Sequence, residues 1–301
     1  RHQLAAVVLG QAPGGEPPPL RFEARGGVHS GADIAPRGPY MGTLYLPDTL
    51  WLSNTLSGKR FMHTHLVIPE FDHWQATALA LDDCVIGLGT DTGFLLEVAG
   101  DLELRNGAAL HLRPCIVEDP LTETGAEVVV GGDLFVRTGS WVFPYAHPTN
   151  GATVRFDVEG DLLVEAGGGF NADYLGYDYE QGPGASLVRG YAGAGHGGYG
   201  QLNKYGTFSP PGRPYGDPVR PIQPGSGGDG DHCPGEGGGA IRLYIQGDAT
   251  INGTLTANAA RGMRNHSGSG SGGSILLECR TLRGAATGGF SADGGSRHGR
   301  G

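Results

Sequence analysis

Five segments of this chain share one pattern: alternating apolar residues, a Gly-Asp step, renewed alternation, then a glycine. They begin at Gly93, Ala126, Ala152, Gly239 and Gly273, and in the fifth Arg280-Thr281 stands where the others carry Gly-Asp. Aligning the copies gives columns. One holds Val98, Val130, Val158, Ile245 and Cys279, and the next holds Leu96, Val128, Phe156, Leu243 and Leu277. A third holds Phe94, Ala126, Val154, Ile241 and Ile275, and beyond the step stand Leu102, Leu134, Leu162, Ala249 and Leu282. A spacing of two puts these side chains on one face of a strand.

The glycines of the step are Gly100, Gly132, Gly160 and Gly247, at intervals of 32, 28 and 87 residues. An interval near 30 accommodates two or three strands with their turns. That is one coil of a β-solenoid, whose successive coils lie about 4.8 Å apart. A single coil cannot bury its apolar face, whereas stacked coils share a narrow core. The repeat therefore predicts an all-β fold, a right-handed parallel β-helix over residues 93–301. Residues 1–92 repeat less clearly and are expected to form an irregular β or capping region.

Composition agrees with a thin core. Glycine supplies 57 of 301 residues and proline 20, while hydrophobic residues make up 38%. Glycine at this density breaks helices, and no Gly-X-Y period supports collagen. No apolar run approaches the roughly 20 residues of a membrane span. A net charge of −10 argues against nucleic acid as a partner, since phosphate contact needs clustered Lys and Arg. The first residue is Arg rather than Met, as expected of a processed product or a fragment.

The 87-residue interval holds a coil plus a long Gly/Tyr-rich insertion at about residues 174–238. Seven of eleven tyrosines lie there: Tyr174, Tyr177, Tyr179, Tyr191, Tyr199, Tyr205 and Tyr215. Tyrosine offers a flat apolar face and a hydroxyl, which suits sugar rings and partner proteins; the same rings also suit packing of the loop against the solenoid.

From Gly239 the runs GGAIRLYIQGDATINGTLTAN and GSGSGGSILLECRTLRGAATGGFSAD, with FNADYLGY before them, are similar to the glycine-rich repeats of large secreted, adhesin-like bacterial surface proteins. The similarity covers roughly residues 93–301. It implies a parallel β-helix and an extracellular or cell-surface location, with other copies of the chain or surface proteins as partners, and it implies no defined activity. Such repeats continue into further strands, so an ending at SRHGRG is expected of a truncated chain.

Several constellations invite chemistry. Asp101, Asp133, Asp161 and Asp248 would line one corner of successive coils. Carboxylates about 4.8 Å apart repel by about 1 kcal/mol in water and about 3.5 kcal/mol at intermediate dielectric. Each is expected to bond backbone N–H groups of its own turn, with bridging calcium as the alternative. A second column ends in Asp173, Asn258 and Asp293; it reads as a turn ladder, or Asp173 and Asp293 with Arg261 or His266 as the acid and base of a polysaccharide lyase or glycoside hydrolase. Asp229 and Asp231 alternate oxygen ligands on a glycine-rich backbone, with Glu236 further on; the segment reads as a solvated loop, with calcium as the candidate ion or His232 and Cys233 as transition-metal ligands. His63 and His65 form an H-x-H pair on one strand face, either packed or the start of a metal site. Cys84 and Cys115, 31 residues apart, would meet in neighbouring coils and bond if geometry allows. No G-x-S-x-G, H-E-x-x-H or GK[ST] signature occurs. The expected function is a non-enzymatic structural or adhesive module; a carbohydrate-binding module and a polysaccharide-cleaving enzyme are the alternatives.

Overall fold

The computed structural model describes residues 4–5, 20–25, 41–186, 191–201, 210–230, 234–263 and 267–295. Among the described residues there is no helix, and every pairing between strands is parallel. Parallel partners need a crossover between them. Here the crossover runs through two other sheets. His73–Ala76, Leu79–Asp82 and Val85–Leu88 lie in three different sheets, and Leu95–Val98, Leu102–Arg105 and Ala109–Leu112 pair with them in that order. The cycle returns with Ala126–Val130, Leu134–Val136 and Trp141–Pro144, and again with Val154–Val158, Leu162–Val164 and Gly169–Asn171. After the insertion it resumes at Ala240–Ile245, Asp248–Ile251 and Thr254–Thr256, and closes with Ser274–Glu278, Thr281–Arg283 and Gly289–Ser291. The result is stacked sheets of six, seven and nine strands.

The aligned columns are the cross-strand partners. Leu96, Val128, Phe156, Leu243 and Leu277 pair in succession, as do Leu102, Leu134, Leu162, Ala249 and Leu282. In the fourth copy Gly247 stands four positions after Leu243, while in the fifth Arg280, which takes the Gly247 position, stands only three after Leu277. The sheets run on across residue 92: Gly42–Tyr45 and Thr64–Val67 belong to the nine-stranded sheet, upstream of Val85–Leu88. Through the fourth copy the column side chains fill one buried core, with Phe156 and Phe170 edge to face, 5.4 Å between ring centres.

The Gly-Asp step has a specific explanation. Asp133 N–H donates to Asp101 Oδ1 (2.8 Å), Asp161 N–H to Asp133 Oδ1 (2.7 Å) and Asp248 N–H to Asp161 Oδ1 (2.7 Å). The carboxylate thus serves the next coil, not its own turn as the sequence suggested. Its oxygen occupies the place where the next glycine's Cβ would stand, 2.2 Å away for Gly132 and Gly160 and 2.1 Å for Gly247. The glycine is needed for room beside the carboxylate. In the last coil Arg280 and Arg283 replace this arrangement and grip Asp248 as an ion pair. The second column behaves in the same way: Asn258 N–H donates to Asp173 Oδ1 (2.7 Å) and Asp293 N–H to Asn258 Oδ1 (2.8 Å).

The expected Cys84–Cys115 bond does not form, and both thiols are free and buried. Val85 pairs with Ala109, so the residue facing Cys84 in the next coil is Ala108, while Cys115 lies beyond the strand end. An interval near one coil length is not the same as a shared column. Cys233 lies outside the described residues.

The insertion is packed rather than loose. Residues 225–229 are extended yet bond to four different segments. Tyr177 donates to the Gly225 carbonyl, Gly225 to Gly238, Ser271 donates to Ser226, and Asp229 donates to Ala192. A strand in a flat sheet has two neighbours, so this is a bundle of extended segments, in which backbone replaces side chain as the packing element. At Gly237 an added Cβ would fall 1.8 Å from the Gly225 carbonyl oxygen, and at Gly273 1.8 Å from that of Gly239. Neither has positive φ, so close approach is what requires glycine there.

Candidate functional site

Burial sorts the insertion tyrosines. Tyr177 is buried and its hydroxyl donates to the Asn150 carbonyl (3.2 Å). The Tyr215 hydroxyl donates to Pro224 and accepts from Ser226 Oγ (2.9 Å), while its ring lies 4.5 Å from that of His196. Burial pushes both phenols above their ordinary pKa. These two rings pack the bundle internally. Tyr179 and Tyr199 are exposed, Tyr191 is half-buried, and Tyr205 lies outside the described residues.

Of the described tyrosines of the insertion, Tyr174 alone lines the cleft, whose volume is about 570 Å³. The cleft opens at the carboxyl ends of strands Val85–Leu88, Ala109–Leu112 and Trp141–Pro144, where each coil leaves its sheet. Asp91, Arg113 and Tyr145 come from these exits, and Asp178 and Glu236 come from the glycine bundle opposite. The Arg113 guanidinium lies over the Tyr145 ring, 5.0 Å from its centre, as a cation over an aromatic quadrupole does. Ile116 lines the cleft as an exposed apolar side chain. The set combines flat faces, a cation and carboxylates, the groups that bind a polyhydroxylated ligand.

At the cleft floor lies a histidine cluster. His65, within strand Thr64–Val67, borders the cleft; His111, within Ala109–Leu112, is fully buried and stacks on Phe143 at 4.3 Å. Burial, helped by the charge of Arg113, holds His65 down to about 4 and His111 down to about 3. His63 is buried just outside that strand at φ 57°, its pKa lowered by burial. The H-x-H spacing thus spans a kink in the backbone instead of one regular strand face.

Of the calcium candidates, Asp229 is buried within the bundle, its backbone bonded to Ala192 and Gly268, and Glu236 borders the cleft. Asp231, His232 and His266 lie outside the described residues. Among the described residues no three His, Cys, Asp or Glu side chains gather closely enough to hold an ion. Asp173 and Asp293 are engaged in the turn ladder. Sequence reasoning missed the cleft because residue chemistry does not repeat at the strand exits; Arg113 and Tyr145 follow the paired Leu112 and Pro144 in one column, yet one is a cation and the other an aromatic. No helix among the described residues is long and apolar enough to cross a membrane. Compared with known protein families, curated proteins and solved structures, the chain matches none of them.

Proposed function

We propose that the chain is a right-handed β-solenoid serving as a structural and adhesive segment of an extracellular or cell-surface protein, without catalytic activity. The observation that supports this reading is the coil-to-coil ladder, in which each Asp carboxylate holds the backbone of the following coil. Such a device spends the polar residues of the repeat on stacking and extends for as many coils as the chain supplies. The last coil leaves Leu282 and Phe290 exposed, a face that suits another coil. Electron microscopy of concentrated protein tests the reading: end-to-end rods are expected, and a strictly monomeric particle at high concentration counts against it.

A second reading is favoured by the cleft. It makes the chain a carbohydrate-binding module, with Tyr145, Tyr174 and Arg113 as contacts in place of the insertion tyrosines at large. Retention on polysaccharide columns tests it. Tyr145→Ala is expected to abolish retention and Tyr199→Ala, on an exposed insertion tyrosine, to leave it intact; the reverse result returns binding to the insertion.

A further inference from the structure

The proposed function leaves a group of buried ligand atoms unused. Thr43, His65, Gly87, His111 and Phe143 form one cross-strand row on the nine-stranded sheet. Gly87 stands between the two histidines, and its missing side chain lets His65 and Met41 close on the point where a Cβ would project. An ideal Cβ on Gly87 would lie 3.0 Å from His65 Nδ1 and 3.0 Å from Met41 Sδ, so the nitrogen and the sulfur are within twice that distance of each other.

Both histidines carry one engaged and one free nitrogen. His65 bonds to the Gly89 carbonyl and its Nδ1 is buried without a partner. His111 Nδ1 meets the Tyr145 hydroxyl at 3.3 Å and its Nε2 is buried without a partner. Ligating histidines are held in this manner, one nitrogen fixed by a hydrogen bond and the other offering its lone pair. An unpaired polar atom in a dry interior is costly, and here two occur in one row. The cleft reaches Met41 and His65, which provides an entry.

We propose that Met41 Sδ, His65 Nδ1 and His111 Nε2 bind copper(I) above Gly87. Thioether and imidazole without carboxylate form a soft set, which suits copper(I) over magnesium, calcium or manganese. The three ligands are neutral, so a monovalent ion buries a single charge; a divalent ion would bury two, with the Arg113 cation nearby. The absence of any cluster of three His, Cys, Asp or Glu among the described residues makes the methionine sulfur the deciding ligand.

The test is anaerobic titration of the full chain with copper(I) against a chromogenic competitor. All samples carry Cys84→Ala, Cys115→Ser, Cys233→Ser and Cys279→Ser, because thiolates compete for the same ion. One copper(I) per chain is expected, with X-ray absorption showing sulfur and nitrogen scatterers. Met41→Leu keeps volume and removes sulfur; His65→Gln keeps a polar side chain at the cleft edge. Each is expected to weaken binding by roughly ten-fold or more, with circular dichroism unchanged, and Met41→Leu is expected to lose the sulfur signal. A parent chain that takes up no copper(I), affinity that survives both substitutions, or sulfur scattering that persists in Met41→Leu overturns the proposal.

Discussion

At the scale of single residues, the Asp of each Gly-Asp step does more than end a strand. It neutralises the cost of an unpaired N–H in the following coil and relieves the mutual repulsion of a carboxylate column by giving each oxygen a donor. Removing one should loosen the stack locally. Asp133→Ala is expected to lower stability by about 1 kcal/mol, while Asp133→Asn, which keeps an acceptor, loses less; urea denaturation measures both. The last carboxylate differs. Arg280 first, then Arg283, holds the Asp248 pKa down to about 2. A depressed carboxylate stabilises the fold above its unfolded pKa, near 3.9, and that contribution disappears as pH falls through about 2. Protection factors for amide exchange in the last coil should therefore fall between about pH 4 and pH 2, and Arg280→Ala should shift that fall to higher pH.

At the scale of elements, the strands were readable and the glycine segments were not. The strands obey a period of two with side chains that announce which face is buried, and the columns led by Leu96 and Leu102 pair in the structure as they align in the sequence. The segments around Gly225 and Gly237 have no side chains to show a period. Glycine there permits tight contact of one carbonyl with another backbone. The cysteine expectation failed for a related reason, since Cys84 and Cys115 share an interval without sharing a column. The bundle makes a sharp contrast available. Gly237→Ala places a Cβ 1.8 Å from the Gly225 oxygen and should cost about 3 kcal/mol or prevent folding. Gly197→Ala meets nothing within 4 Å and should change stability by less than about 0.5 kcal/mol. Equal effects of the two, measured by thermal unfolding, would refute close packing of the insertion.

At the scale of the whole molecule, the same coil geometry that builds a repetitive core delivers non-repetitive residues to one rim, where strand exits and the glycine bundle enclose the cleft. Its floor couples fold stability to pH. His65 and His111 are neutral in the fold, at about 4 and about 3, and near 6.5 when unfolded. The unfolded chain then binds more protons below pH 6.5, so stability should fall as pH drops from about 6.5 to about 3. His65→Gln should flatten the upper part of that decline in a denaturation series. The central claim is that the molecule adheres and supports without breaking bonds. Incubation with a panel of acidic and neutral polysaccharides, scored for retention and for new reducing or unsaturated chain ends, tests it most directly. Retention with no new chain ends is the predicted result, and bond cleavage by the pure protein would contradict it.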